Sequence, residues 1–263
     1  MTGTLESYAE LAARVLAGPP LVGRSRLVAV DGPSGAGKTR FAGRLAAALE
    51  EAATTPAGPA GTDLAAGPAR TDLAADPART DPAAGPARPD VAAGRAGRAT
   101  PTGGAGGRVA TVVHTDDLLD GWDDQLTFWD RLEESVLGPL RAGRPGTYHR
   151  YDWLRAEFGP DLVVVDPAPV VVLEGFSAAR ADVRPELSLA VFVVAPADLR
   201  LDRALSRDGA ALRPHLERWR RTEDVHFRAD RTADHADLVV DGAPAVPHDT
   251  RHYVRIGGAR WPA

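Results

Sequence analysis

Directly after the apolar run RLVAV (26–30), the chain reads Gly32-Pro33-Ser34-Gly35-Ala36-Gly37-Lys38-Thr39. This is the spacing of a phosphate-cradling (Walker A) loop. Its glycines let the backbone curl until successive N–H groups face one anion. A helix expected from Lys38 to Glu50 adds the positive end of its dipole. Lys38 is the only lysine of the chain; the other 30 basic residues are arginines. A slim ammonium on a flexible stem can reach over such a loop to the terminal phosphates. The planar guanidinium fork cannot enter the same space. Thr39 is placed to offer its hydroxyl to magnesium. These eight residues form the expected nucleotide site, with ATP and Mg2+ as its expected ligands.

Further along, VVVLEG (170–175) ends a buried run on Glu174, a carboxylate suited to holding magnesium directly or through water. HTDDLLDGW (114–122) brings Asp116 and Asp117 to the end of another strand, where sheets of this kind bind ligands. One of the pair could take a proton from an acceptor hydroxyl. Arg200, Arg203 and Arg207 recur at i, i+3 and i+7, close to one helical face. A row of unpaired cations there would suit the charge that develops on a transferring phosphoryl group. His114, His149, His215, His226 and His235 show no metal-ligand spacing. Trp122 could stack on an acceptor ring or belong to the core.

The elements that must position these groups alternate. Helical spacing runs from Leu5 to Leu16, Lys38 to Glu50, Gln125 to Arg141, Asp198 to Arg207 and Pro214 to Ala229. Apolar strands are expected at 26–30, 108–114, 170–174, 189–195 and 237–241. Continuous apolar strands between helices indicate a parallel sheet covered on both faces. Residues 52–107 stand apart, with the repeat TDLAAGPAR, TDLAADPAR, TDPAAGPAR (62–88) and a decayed copy at 89–97. Small side chains and a proline in each clear copy predict a disordered insertion. The expected organisation is one nucleotide-binding domain made of 1–51 and 108–250, this insertion, and a tail at 251–263.

The chain has 263 residues and a net charge of −5, so no basic footprint suggests nucleic acid. It has no cysteine, which excludes disulfides and thiolate metal sites. The first residues lack a basic start and an apolar core, and no apolar run reaches membrane-spanning length. A cytoplasmic location is expected. With a single lysine the guanine-reading N/T-K-x-D element is absent, so guanine specificity is unsupported.

Four segments resemble the uridine kinase-like family of P-loop kinases, which also includes phosphoribulokinase and pantothenate kinase relatives. GPSGAGKT is the phosphate loop. TDDLL stands in the place of the family's D-S-F-Y element, which implies that Asp116 is the catalytic base and puts Asp117 near the acceptor. RYDWLRAEF (150–158) is similar to the family's nucleoside-contacting segment, pointing to Tyr151 and Arg155. RLDRALSRD (200–208) matches the fixed positions of the lid, which implies that Arg203 and Arg207 close over the phosphates beside Lys38. Asp117 and Leu119 replace the family's serine and tyrosine. The resemblance implies a P-loop NTPase fold, a three-layer α/β/α with a mainly parallel sheet, a helical lid and a disordered insertion. It further implies ATP-dependent transfer to a hydroxyl of a nucleoside-like small molecule. A kinase for another alcohol, such as a sugar phosphate or a pantothenate-like compound, and a non-catalytic ATP-binding module are the alternatives.

Overall fold

The computed structural model describes residues 3–54 and 107–258. The nine-residue repeat lies outside the described residues. The chain begins β1 (Thr4–Ser7), α1 (Tyr8–Ala17), β2 (Arg26–Asp31), α2 (Lys38–Thr54) and β3 (Ala110–His114). Next come α3 (Trp129–Leu132), α4 (Gly138–Arg141), the hairpin β4 (Gly146–Asp152) and β5 (Glu157–Val165), and β6 (Val170–Glu174). It closes with β7 (Leu187–Val194), α5 (Ala197–Asp208), α6 (Arg213–Asp230), β8 (Leu238–Asp241) and β9 (His252–Gly257).

Seven strands form one sheet in the order β1-β9-β8-β7-β2-β6-β3. The run from β8 to β3 is parallel throughout, and β9 and β1 extend it in antiparallel sense. Side chains alternate between two cores. Val28, Val30, Val170, Val172, Val191 and Val193 meet α1 and α2 on one face. Leu27, Ala29, Val171 and Leu173 meet the 128–140 region and Trp219 on the other. This two-sided burial is why β2 and β6 read as unbroken apolar runs. The sheet register then builds the site: Val30 lies opposite Glu174, and Glu174 opposite His114. Three strands therefore end together at one carboxyl edge, as open parallel sheets require of a ligand site.

The expected three-layer α/β/α fold is observed, with several differences. Leu5 belongs to β1, not to the first helix; Ser7 caps α1 by accepting from the Ala9 and Glu10 N–H groups. The helix expected over 125–141 starts only at Trp129 and contains a π turn at Glu133–Leu137. Pro139 lacks the N–H that an α-helical register would need at that point. The helix α2 runs three residues past Glu51, into the segment expected to be insertion. Its Glu50 Oε1 accepts from the Val109 and Ala110 N–H groups at 2.9 and 3.0 Å, fastening the start of β3 to the end of α2. The tail expected at 251–263 supplies β9. There Tyr253 packs between Tyr8 and Phe41 and donates to Glu6 at 2.6 Å. The β4–β5 hairpin, which carries RYDW, has no counterpart among the expected strands. Among the described residues no helix is long and apolar enough to cross a membrane.

Candidate active site

The turn from β2 into α2 carries the loop Gly32 to Thr39. Gly35 sits at φ +78°, and a Cβ there would meet the Arg200 carbonyl oxygen at 2.4 Å. Only glycine allows both the curl and the approach of α5. Asp31, fully buried at the end of β2, anchors the base of the loop. It accepts from the Gly32 N–H at 2.7 Å and the Ala179 N–H at 2.9 Å. Burial raises its carboxyl to about 7, against the pull of those N–H groups and of Lys38. Lys38 is almost wholly buried, and its Nζ donates to the Pro33 carbonyl at 3.3 Å. Ser34 is held from outside the loop: its N–H and hydroxyl donate to Glu223 of α6.

Beside the loop, the Thr39 hydroxyl donates to Glu174 Oε1 at 3.0 Å. His114 Nδ1 meets Glu174 Oε2 at 2.6 Å. Burial works against a charge on His114, but the bond to Glu174 and the nearby Asp117 and Asp116 hold its imidazole above the ordinary value. A hydroxyl and a carboxylate side by side are hard oxygen donors. They fit a magnesium ion, which takes few protein ligands and completes its shell with phosphate and water. The close approach of β6 to β3 depends on Gly175, at φ +147°. A Cβ there would fall 1.8 Å from Thr115 Oγ1.

Asp116 and Asp117 follow β3 on the short turn Thr115–Asp117. Their immediate partners differ in the structure. Asp117 accepts from Arg150 Nε at 3.0 Å and from the Tyr148 hydroxyl at 3.3 Å. Burial raises its carboxyl, with Arg150 opposing. Asp116 and Asp117 both line a cavity of about 510 Å³ together with Lys38, Thr39 and Glu174. Tyr151 lines the same cavity, its ring packed against Trp153 and Phe158. Arg155, expected near the acceptor, is not brought there. It lies at the hairpin turn, 70% exposed, facing Asp152 at 3.8 Å. The neighbouring Arg150 lines the cavity instead, on the strand β4 itself.

The arginine row is also revised. Arg203 and Arg207 line the cavity and Arg200 does not. Nor is the row unpaired: Arg203 Nη1 donates to the Gly35 and Gly242 carbonyls, and Arg207 forks onto Asp208. Arg200 is buried under the loop, its Nε bonded to the Ala195 carbonyl. Trp122, read as either acceptor stack or core, packs on Trp153, Trp219 and His215. His114, Arg150, Trp153 and Phe176 are cavity residues that were not singled out as site residues. The signal available for Arg150 was its place two residues from Asp152 in RYDW; the missing piece was the hairpin.

The sequence profile of the Phosphoribulokinase / Uridine kinase family matches residues 121–246. The chain resembles the uridine kinase-like P-loop kinases. A uridine kinase of Halobacterium salinarum is 31% identical over 133 residues, 48% of this chain and 59% of that protein. A uridine kinase of Staphylococcus epidermidis is 26% identical over 130 residues, 47% of this chain and 63% of that protein. The alignments thus span about three-fifths of the curated relatives' length. A Bacillus stearothermophilus structure described as a possible uridine kinase superposes with a TM-score of 0.52 at 16% identity. It covers 88% of this chain and 96% of its own, a likeness of fold. The family match begins after the phosphate loop and after Asp116, so those positions rest on their own motif and geometry.

Proposed function

We propose that this protein is an ATP-dependent kinase that transfers the γ-phosphoryl group to a hydroxyl of a nucleoside-like small molecule. The observation that carries the reading is the single cavity shared by Lys38, the Thr39–Glu174 pair and Asp116. A phosphate grip, a metal-suited oxygen pair and a carboxylate for an alcohol proton are the parts that phosphoryl transfer needs within reach of one another. Magnesium, bound at Thr39 and Glu174, would neutralise phosphate charge. The loop amides and Lys38 hold the β- and γ-phosphates. Asp116 orients the acceptor hydroxyl and receives its proton late in transfer. Arg203, anchored on the Gly35 and Gly242 carbonyls, braces the lid helix against the loop, while Arg207, paired with Asp208, lines the same cavity and supplies positive charge to it. Tyr151, Trp153 and Arg150 border the acceptor side, and closure of the lid would keep water from competing.

The test is acceptor-stimulated ADP release across a panel of nucleosides, sugar phosphates and pantothenate-like alcohols. A nucleoside is expected to stimulate most. Asp116→Asn is expected to leave nucleotide affinity intact and slow transfer by about two orders of magnitude, the scale of a positioned base. Stimulation by none of the panel would count against a transferase, and collapse of ATP affinity in Asp116→Asn would put that carboxylate in the metal site.

A further inference from the structure

Glu223 of α6 takes no part in the chemistry above, yet it is fully buried against the phosphate loop. Its Oε1 accepts from the Ser34 N–H at 2.9 Å, the Ser34 hydroxyl at 2.5 Å and the Trp219 indole N–H at 2.9 Å. Its Oε2 is buried and has no hydrogen-bond partner. An enclosed carboxylate is ordinarily either bonded to a cation or neutral. The cations that face it are Lys38 of α2 and Arg200 of α5. Neither satisfies Oε2: Lys38 donates to Pro33, and Arg200 Nη1 is itself buried without a partner. Burial holds the Glu223 carboxyl above its ordinary range, while Lys38 and the Ser34 and Trp219 donors pull it down.

The loop and this carboxylate share their positive groups. Lys38 acts on Glu223 and donates to the loop's Pro33 carbonyl. When the loop holds a polyphosphate, the reading on which this inference rests, Lys38 turns its charge to the phosphates. More negative charge also arrives within the same dry region. Both changes favour the neutral acid. We propose that Glu223 is a proton-binding site linked to the phosphate loop, taking up one proton when a nucleoside triphosphate binds at residues 32–39. The proton comes from solvent and goes to Oε2, since Oε1 already receives three donors. The carboxylate becomes a carboxylic acid, and its bonds to Ser34 and Trp219 stay. The bound state then has the higher proton affinity. Nucleotide affinity is therefore greatest at low pH and falls, by up to about tenfold per pH unit, between the free-state and bound-state pKa values.

Asp31, the other buried acid at the loop, also faces Lys38 and must be separated from Glu223. Calorimetry of a non-hydrolysable ATP analogue binding to the full chain, at one pH in buffers of different ionisation enthalpy, reads the protons directly. The wild type is expected to take up a substantial fraction of one proton, and Glu223→Gln to bind with that uptake lost. Equal uptake in both proteins would assign the proton to another group and overturn the proposal; so would a wild type that takes up none. Should Glu223→Gln not fold, Ser34→Ala keeps the question open to test. Losing the hydroxyl that steadies the charged form raises the proton affinity of Glu223, so the pH midpoint of nucleotide affinity moves up; an unmoved midpoint would overturn the proposal. Absence of any binding heat in the wild type would instead remove the nucleotide reading and, with it, the linkage.

Discussion

At the scale of single residues, Lys38 carries the sharpest test. Its ammonium, almost wholly buried, donates to the Pro33 carbonyl of the loop at the wall of the cavity. Lys38→Arg conserves charge and still should lower kcat/KM by about two to three orders of magnitude, the cost of losing an aimed electrostatic donor. Steady-state kinetics at saturating acceptor checks this, and a near-normal rate would refute the steric argument. The lone lysine, the two glycines and Thr39 were legible in the sequence because a short loop fixes its own geometry. Asp116 and Asp117 were not separable there. Adjacent residues of one type acquire different surroundings only when a strand from elsewhere arrives, here β4 with Tyr148 and Arg150 on Asp117. Arg155 failed for the same reason: with the hairpin unrecognised, sequence offset from Tyr151 was no guide to which arginine turns inward.

At the scale of elements, the strands of the parallel core were readable from their composition, since burial on both faces demands near-continuous Val, Leu and Ala. Short or two-sided elements were not. The strand β1 has four residues and β9, six residues long, lies between β1 and β8 near one edge of the sheet, so neither has enough pattern to declare itself. The helix α2 ends where Glu50 ties it to β3, which brings the two flanks of residues 55–106 together at the edge of the sheet away from the loop. Replacing 55–106 with a short Gly/Ser link is therefore expected to leave Tm and turnover close to those of the full chain. Thermal melting and the ADP-release assay measure both, and loss of soluble protein would contradict the disorder expected from composition.

At the scale of the whole molecule, the buried acids beneath the loop make stability pH-dependent. Asp31 has a folded-state pKa of about 7 against an ordinary value of 3.8. The sign follows from the raised value. The stability it contributes is fully present below the unfolded pKa and is lost as pH rises through the folded one. Over that window the loss is on the order of a few kcal/mol. Asp31→Asn removes the titration but also an acceptor of the Ala179 N–H, so the variant is less stable at pH 5. The gap to wild type is expected to narrow by at least about 1 kcal/mol by pH 8, read from urea unfolding across that range. A gap that stays constant would mean Asp31 does not titrate there.

By itself the sequence determined the glycine-rich loop at 32–39, the parallel α/β core and the helix α5, because each depends on contacts or burial patterns local to a few consecutive residues. Tertiary structure alone decided which partners each carboxylate of the cavity meets, which arginines reach it, and that a glutamate nearly two hundred residues from the loop holds Ser34. Those depend on the register of β3, β6 and β2 and on the docking of β4 and α6. Long-range pairing of this kind is set by packing and leaves no periodic trace in the chain.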